Sequence, residues 1–166
     1  MTVTFSKIGV VGAGAMGRGI AQIAAQAGSD VLLVDSQPGA AQRGLEAITA
    51  QWARLQEKGK LDAATQAALA TRLHAVESIQ ALAECDLVIE AVVENLEVKR
   101  NLFRELESVV SEGAALVTNT SSLSVTAIAA GLARPERFAG YHFFNPVPLM
   151  KVVEVVAGFK PGRALS

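Results

Sequence analysis

One of the two histidines in this 166-residue chain stands where an imidazole could move a proton. His142 closes the apolar stretch Phe138-Ala139-Gly140-Tyr141 and opens Phe143-Phe144-Asn145-Pro146-Val147-Pro148, a stiff aromatic and proline turn. Beyond that turn, Glu154 sits inside Val152-Val153-Glu154-Val155-Val156. A carboxylate among four valines is costly to bury unless it is paired. The chain doubles back between the two residues, which brings the imidazole within reach. As a dyad, Glu154 would orient the ring and stabilise its charged form, leaving the other nitrogen to face a substrate. Histidine suits proton transfer near neutral pH. The same spacing also suits a core histidine hydrogen-bonded to a structural glutamate, and spacing alone does not choose between them. The other histidine, His74, has no polar companions and reads as surface or structural.

A second pattern points to a cofactor. Gly12-Ala13-Gly14-Ala15-Met16-Gly17 fits G-x-G-x-x-G, follows the apolar run Ile8-Gly9-Val10-Val11 and opens a helical stretch. Gly12 makes the tight turn, Gly14 lets a pyrophosphate approach the backbone, and Gly17 lets helix pack on strand. The helix start supplies N–H groups and the positive end of its dipole to the phosphates. Asp35 ends the next apolar run, 18 residues beyond Gly17. It would accept both ribose hydroxyls and repel a 2′-phosphate. Ser36 and Gln37 follow it, with no arginine to welcome that phosphate, so the pattern favours NAD(H) over NADP(H).

Other polar residues have less specific readings. Asn119-Thr120-Ser121-Ser122 follows the strand-like Ala115-Leu116-Val117, at the carboxyl end where ligands of α/β sheets bind. Its side chains could hold a substrate oxygen or the nicotinamide amide, or cap the next helix. Glu94 and Lys99 follow another strand end and, by themselves, read as an i,i+5 surface pair. Lys58 and Lys60 flank Gly59 in a basic loop that suits either a phosphate or plain solvation. Trp52 reads as a helix-face packing residue and Cys85 as an inert core thiol. No metal-ligand spacing is present.

The elements that must position these residues alternate. Short β-branched runs occur at residues 8–11, 31–34, 75–76, 87–92, 115–117, 138–142 and 152–156. Helical periodicity covers 15–27, from Pro38 to about 58, from an Asp62 cap to about 73, then 96–110 and 124–130. In the 96–110 helix, Glu97, Lys99, Arg100, Arg104 and Glu105 are expected to face outward. Strands alternating with helices imply βαβ units. Continuous apolar strands suit a sheet covered on both faces. The expectation is a Rossmann-like, doubly wound α/β fold with a mainly parallel sheet.

Composition narrows the classes. With 15 Lys+Arg against 16 Asp+Glu the formal charge is −1, which argues against a nucleic-acid platform. The chain is 51% hydrophobic and 19% charged, enough to bury a core. A single cysteine allows no internal disulfide and makes a reducing compartment the default. No apolar run reaches the roughly 18–20 residues that span a bilayer. A soluble, cytoplasmic protein without nucleic-acid or membrane partners is expected.

Taken together the residues resemble a known family, the L-3-hydroxyacyl-CoA dehydrogenases of the 3-hydroxybutyryl-CoA type, in their NAD-binding part. The resemblance runs from Lys7 to Val156. It is carried by Gly12-Ala13-Gly14-Ala15-Met16-Gly17-Arg18-Gly19-Ile20-Ala21, Glu90-Ala91-Val92-Val93-Glu94-Asn95, Asn119-Thr120-Ser121-Ser122-Leu123, and His142-Phe143-Phe144-Asn145-Pro146-Val147-Pro148-Leu149-Met150-Lys151-Val152-Val153-Glu154. It implies a β-oxidation enzyme of fatty-acid metabolism, with NAD as cofactor and an acyl-CoA as substrate. His142 is then the general base for the 3-hydroxyl proton, and Glu154 supports it. Ser121 and Asn145 position the substrate oxygen and the nicotinamide side. Asp35 binds the adenosine ribose, Glu94 and Lys99 lie along the cofactor, and Lys58 matches a lysine that contacts the CoA moiety.

Two departures from the family pattern stand out. Gln51 replaces a Ser or Asn near the CoA end. The chain also stops at Ser166, where family enzymes continue into a helical domain that forms the dimer interface, closes the acyl cleft and adds an active-site Asn. Residues 1–166 are therefore expected to be an NAD-binding domain truncated at its C-terminal end, with the helical dimerisation domain absent. Turnover would be impaired, and any homo-oligomer would use an interface other than the family's. Two alternatives are a non-catalytic dinucleotide-binding module or subunit that needs a partner chain, and a related hydroxyacid dehydrogenase or crystallin-like member with a non-CoA substrate.

Overall fold

The computed structural model describes residues 5–92, 95–119 and 125–141. Among the described residues six strands form one sheet: β1 (Lys7–Val11), β2 (Asp30–Val34), β3 (Leu73–Ala75), β4 (Leu87–Glu90), β5 (Ala115–Asn119) and β6 (Phe138–Tyr141). Their spatial order is β3-β2-β1-β4-β5-β6, and every neighbouring pair is parallel. The chain builds outward from β1 to β3, then returns to the other side of β1 and builds from β4 to β6. The point of reversal lies between β1 and β4, where such sheets open a crevice beyond the strands' carboxyl ends. The fold is the Rossmann-like α/β arrangement expected from the alternation of strands and helices.

Helices α1 (Ala15–Gln26), α2 (Ala40–Glu57), α3 (Ala63–Arg72), α4 (Leu96–Val109) and α5 (Val125–Ala129) connect the strands. Strand side chains alternate between faces, and two apolar clusters result. Ile8, Val10, Leu33, Leu87, Ile89 and Val117 pack with Ile20, Ile48 and Trp52 from α1 and α2. Val88, Leu116 and Phe138 pack with Phe103 and Leu106 of α4 and with Ile128 of α5. The rings of Phe103 and Phe138 meet edge to face, 4.9 Å apart at 78°, and fix α4 against β6.

Several boundaries differ from the sequence reading, each for a local reason. Pro38 does not begin α2, because Gly39 adopts φ +81° and the helix starts only at Ala40. Asp62 does cap α3, and its carboxylate accepts the Thr65 N–H at 2.7 Å. The short strand expected at 75–76 is Leu73–Ala75, which places His74 exposed on a sheet edge strand. Strand β4 stops at Glu90, not at 92, because the Glu90 side chain turns back to accept the Val92 N–H at 2.6 Å. Strand β5 continues to Asn119, past the expected Val117. The strand expected at 152–156 lies outside the described residues. Among the described residues, no helix is long and apolar enough to cross a membrane.

Candidate dinucleotide site

The glycine turn joins β1 to α1 at the crevice, and its three glycines are required for different physical reasons. Gly12 has φ +111°, and a Cβ there would stand 2.5 Å from the Ala91 carbonyl oxygen on the turn after β4. A Cβ on Gly17 would stand 1.7 Å from the Gly12 carbonyl oxygen, so no side chain fits where the first turn of α1 packs on the loop. A Cβ on Gly14 would meet nothing within 4 Å. Gly14 therefore leaves open space in front of the backbone at the start of α1. No side chain caps that helix start, and its first turn holds no acidic residue. Unclaimed N–H groups and the positive dipole end suit an anion there.

Asp35 stands at the end of β2, half-buried beside this turn. Its Oδ2 accepts the Ala13 N–H at 2.8 Å and its Oδ1 accepts the Gln37 N–H at 2.9 Å. A carboxylate has about four acceptor positions, so these two bonds orient Asp35 and leave capacity for a ligand's hydroxyls. A cavity of about 730 Å³ opens here, lined by Gly12, Ala13, Gly14, Asp35, Val92 and Leu102 among others. Its volume falls within the roughly 300–1,000 Å³ typical of ligand sites. Arg18 and Arg43 also line it. No arginine directly follows Asp35 in the sequence, but the turn at Gly39 brings Arg43 into the same cavity. Its Nη1 would lie 2.9 Å from a Cβ on Gly39.

The larger surprise lies across the crevice. Lys99 does not face outward and is not half of a surface pair. Lys99 and Glu90 are both fully buried, with Lys99 Nζ 3.2 Å from Glu90 Oε1. Thr118 Oγ1 donates to the same oxygen at 2.5 Å, and Lys99 Nζ donates to the Asn119 carbonyl oxygen at 2.6 Å. Burial pushes the Glu90 carboxyl above its ordinary range. The Thr118 hydroxyl, the Lys99 ammonium and the Val92 N–H act against that shift. Glu90 was missed in sequence, although β4 carried the signal. Leu87 and Ile89 point to one face, so Val88 and Glu90 must point to the other, onto α4. Glu90 also lies directly beside Thr118 in the β4–β5 register.

Lys58 is exposed at the far end of α2 and is not among the residues lining the cavity. Lys60 is exposed in the same loop, and Gln51 accepts from Arg54. Trp52 is buried, with its Nε1 donating to Gln26 at 3.2 Å. Cys85 is buried, and burial pushes its thiol up to about 12. Glu94, Ser121, His142, Asn145 and Glu154 lie outside the described residues.

A sheet that is parallel throughout the described residues, with a glycine turn at its reversal point and an acid at the end of the next strand, defines a dinucleotide-binding domain. The family described as 3-hydroxyacyl-CoA dehydrogenase, NAD binding domain, matches residues 7–163, and the chain belongs to that family. A probable 3-hydroxybutyryl-CoA dehydrogenase of Deinococcus radiodurans is 47% identical over 154 residues, covering 93% of this chain and 55% of the relative. A 3-hydroxyadipyl-CoA dehydrogenase of Escherichia coli is 49% identical over 158 residues, covering 95% of this chain and 33% of the relative. The crystal structure of (S)-3-hydroxybutyryl-CoA dehydrogenase from Ralstonia eutropha is similar, with a TM-score of 0.82 and 40% identity over 88% of this chain and 52% of that one. The chain thus spans about half the length of such relatives, and a third of the longer one. NAD is the cofactor of this domain family, and the open Gly14 backbone with the Asp35 carboxylate fits it.

Proposed function

We propose that this chain supplies the NAD-binding and proton-transfer residues of an oxidoreductase that converts (S)-3-hydroxyacyl-CoA to 3-oxoacyl-CoA. The observation that carries the reading is Asp35, hydrogen-bonded to the Gly12–Gly17 turn at the mouth of the cavity. That arrangement accepts a ribose diol beside a pyrophosphate-binding helix start and disfavours a 2′-phosphate.

Bound NAD supplies the hydride acceptor, its nicotinamide ring. The protein residues do the remaining work. His142 takes the C3 hydroxyl proton on a ring nitrogen as the C3–H bond breaks with its electron pair, leaving a carbonyl at C3. Glu154 orients that ring and stabilises its protonated form. Ser121 and Asn145 hold the reacting oxygen and the nicotinamide side, Asn119 and Glu94 lie along the cofactor, and Lys58 meets the CoA moiety, whereas Lys99, buried against Glu90, does not reach the cofactor and acts from behind Asn119. Support for these roles comes from residue type, spacing and likeness to the family's motifs. The CoA ester is favoured over a free acid by that likeness and by the names of the relatives.

The test is NADH oxidation by the chain at high concentration with acetoacetyl-CoA or with free acetoacetate. The reading predicts saturable NADH binding and NADH oxidation with the CoA ester alone. NADH binding without any turnover would leave only the dinucleotide-binding module. Equal rates with free acetoacetate would assign a non-CoA substrate.

A further inference from the structure

The geometry points to Glu90 as the positioning residue for the β4–β5 half of the cleft, the half that faces the nicotinamide end of the cofactor. This inference rests on the NAD reading and adds to it a residue that touches neither cofactor nor substrate.

The partners of Glu90 come from three different pieces of the chain. Its Oε2 accepts the Val92 N–H at 2.6 Å and so holds the turn after β4. That turn carries the Ala91 carbonyl against Gly12, too near to leave room for a Cβ there. Its Oε1 takes the Thr118 hydroxyl of β5 and faces the Lys99 ammonium of α4. Lys99 passes the constraint on, donating to the carbonyl oxygen of Asn119, the last residue of β5. One buried carboxylate thereby fixes the carboxyl ends of β4 and β5 and the first turn of α4 relative to one another.

Stability alone does not explain such a device. A buried ion pair is often no more stabilising than well-packed apolar side chains of the same size. Its location does suggest a purpose, because dinucleotides lie across the crevice beyond the strand ends. The glycine turn of β1 and Asp35 of β2 serve the adenosine and pyrophosphate side. Apart from the turn against Gly12, every group that Glu90 orders lies on the opposite side. Loosening Glu90 therefore disturbs one half of the cofactor and spares the other.

The experiment compares binding of NADH and of ADP-ribose, which lacks the nicotinamide, to the wild-type chain and to Glu90→Gln. The amide keeps the size of the side chain and removes the charge opposite Lys99. NADH affinity is expected to fall by about tenfold, the scale of one charge-assisted contact. ADP-ribose affinity is expected to stay within about twofold. Lys99→Met should show the same selective loss, and the double variant should lose little more, because the two residues act as one unit. Equal losses for the two ligands, or no loss for either, would overturn the inference. Should Glu90→Gln fail to fold, Thr118→Val removes a single hydroxyl bond from the same carboxylate. A loss confined to NADH then supports the inference, and a shared or absent loss overturns it. Failure of the wild-type chain to bind either ligand would instead overturn the NAD reading.

Discussion

Asp35 and Ala13 lie 22 positions apart in sequence and are joined by a 2.8 Å hydrogen bond from the Ala13 N–H to the Asp35 carboxylate. The acid that ends β2 and the glycine turn that follows β1 are therefore one unit, not two neighbouring features. A second bond, from the Gln37 N–H at 2.9 Å, fixes the carboxylate from the other side. The group is oriented before any ligand arrives, which lowers the ordering cost of binding.

Asp35→Asn should separate the two roles of this carboxylate. The amide oxygen can keep one backbone bond while the charge is lost, and stability should fall by about 1 kcal/mol in thermal or denaturant unfolding. NADH should bind roughly tenfold more weakly, as expected for lost charge-assisted bonds. NADPH should gain relative to NADH, because Arg18 and Arg43 already line the cavity and the repelling charge is gone. An unchanged ratio of the two affinities would show that these arginines do not reach a 2′-phosphate.

Gly14 and Gly17 should respond in opposite ways to alanine. A methyl on Gly17 collides with the Gly12 carbonyl, so Gly17→Ala should lower the melting temperature sharply and abolish NADH binding with it. A methyl on Gly14 meets no protein atom, and its backbone (φ −73°, ψ −172°) suits alanine. Gly14→Ala should therefore keep its stability or gain about 0.4–1 kcal/mol through the unfolded chain. It should nevertheless weaken NADH binding, because the methyl occupies the pyrophosphate's approach. Equal NADH affinity in wild type and Gly14→Ala would move the phosphates elsewhere.

His142→Gln should lower acetoacetyl-CoA reduction by about 10²–10⁴-fold, the usual contribution of a positioned acid–base group, with NADH affinity nearly unchanged. Glu154→Gln should act in the same direction and more weakly under the proposed role, in which it works through the imidazole. Loss of NADH binding in either variant would make the pair structural.

Cys85 gives a pH prediction. Burial is the main cause that lifts its thiol from 9.0 to about 12, with Asp86 and Glu84 adding to the shift and Lys7 opposing it. The folded state therefore holds the proton over a range where the unfolded chain has lost it. This contribution to stability is complete below about pH 9 and is lost as pH rises toward 12. At pH 8 a thiol-specific reagent should label Cys85 only as fast as the protein opens, and rapidly in denaturant. Fast, complete labelling of the native chain would contradict its burial.

The glycine motif was legible because each glycine answers a local demand that sequence order alone reveals. The same holds for the Asp62 cap and for the alternation that gives the parallel sheet. The charge of Lys99 suggests an outward face, yet its spacing sets it in line with Leu96, Phe103 and Leu106 on the buried stripe of α4, and periodicity cannot show that a buried carboxylate waits on a neighbouring strand. Pairing β4 with β5 does show it, since that register sets Glu90 beside Thr118 on the α4 face. Arg43 escaped notice for a related reason. The left-handed Gly39 folds the start of α2 back over the Asp35 loop, and distance along the chain does not predict that return. Local chemistry reads from a string of residues, whereas charges that meet across elements need the packing.

The cavity beside Asp35 and the glycine turn fits NAD(H), the cofactor of this domain family. Equilibrium titration of the wild-type chain with NADH and with NADPH, followed by nucleotide fluorescence, tests it most directly. Saturable one-to-one binding of NADH and at least about tenfold weaker binding of NADPH are expected. Equal affinity for the two, or no saturable binding of NADH, would contradict it.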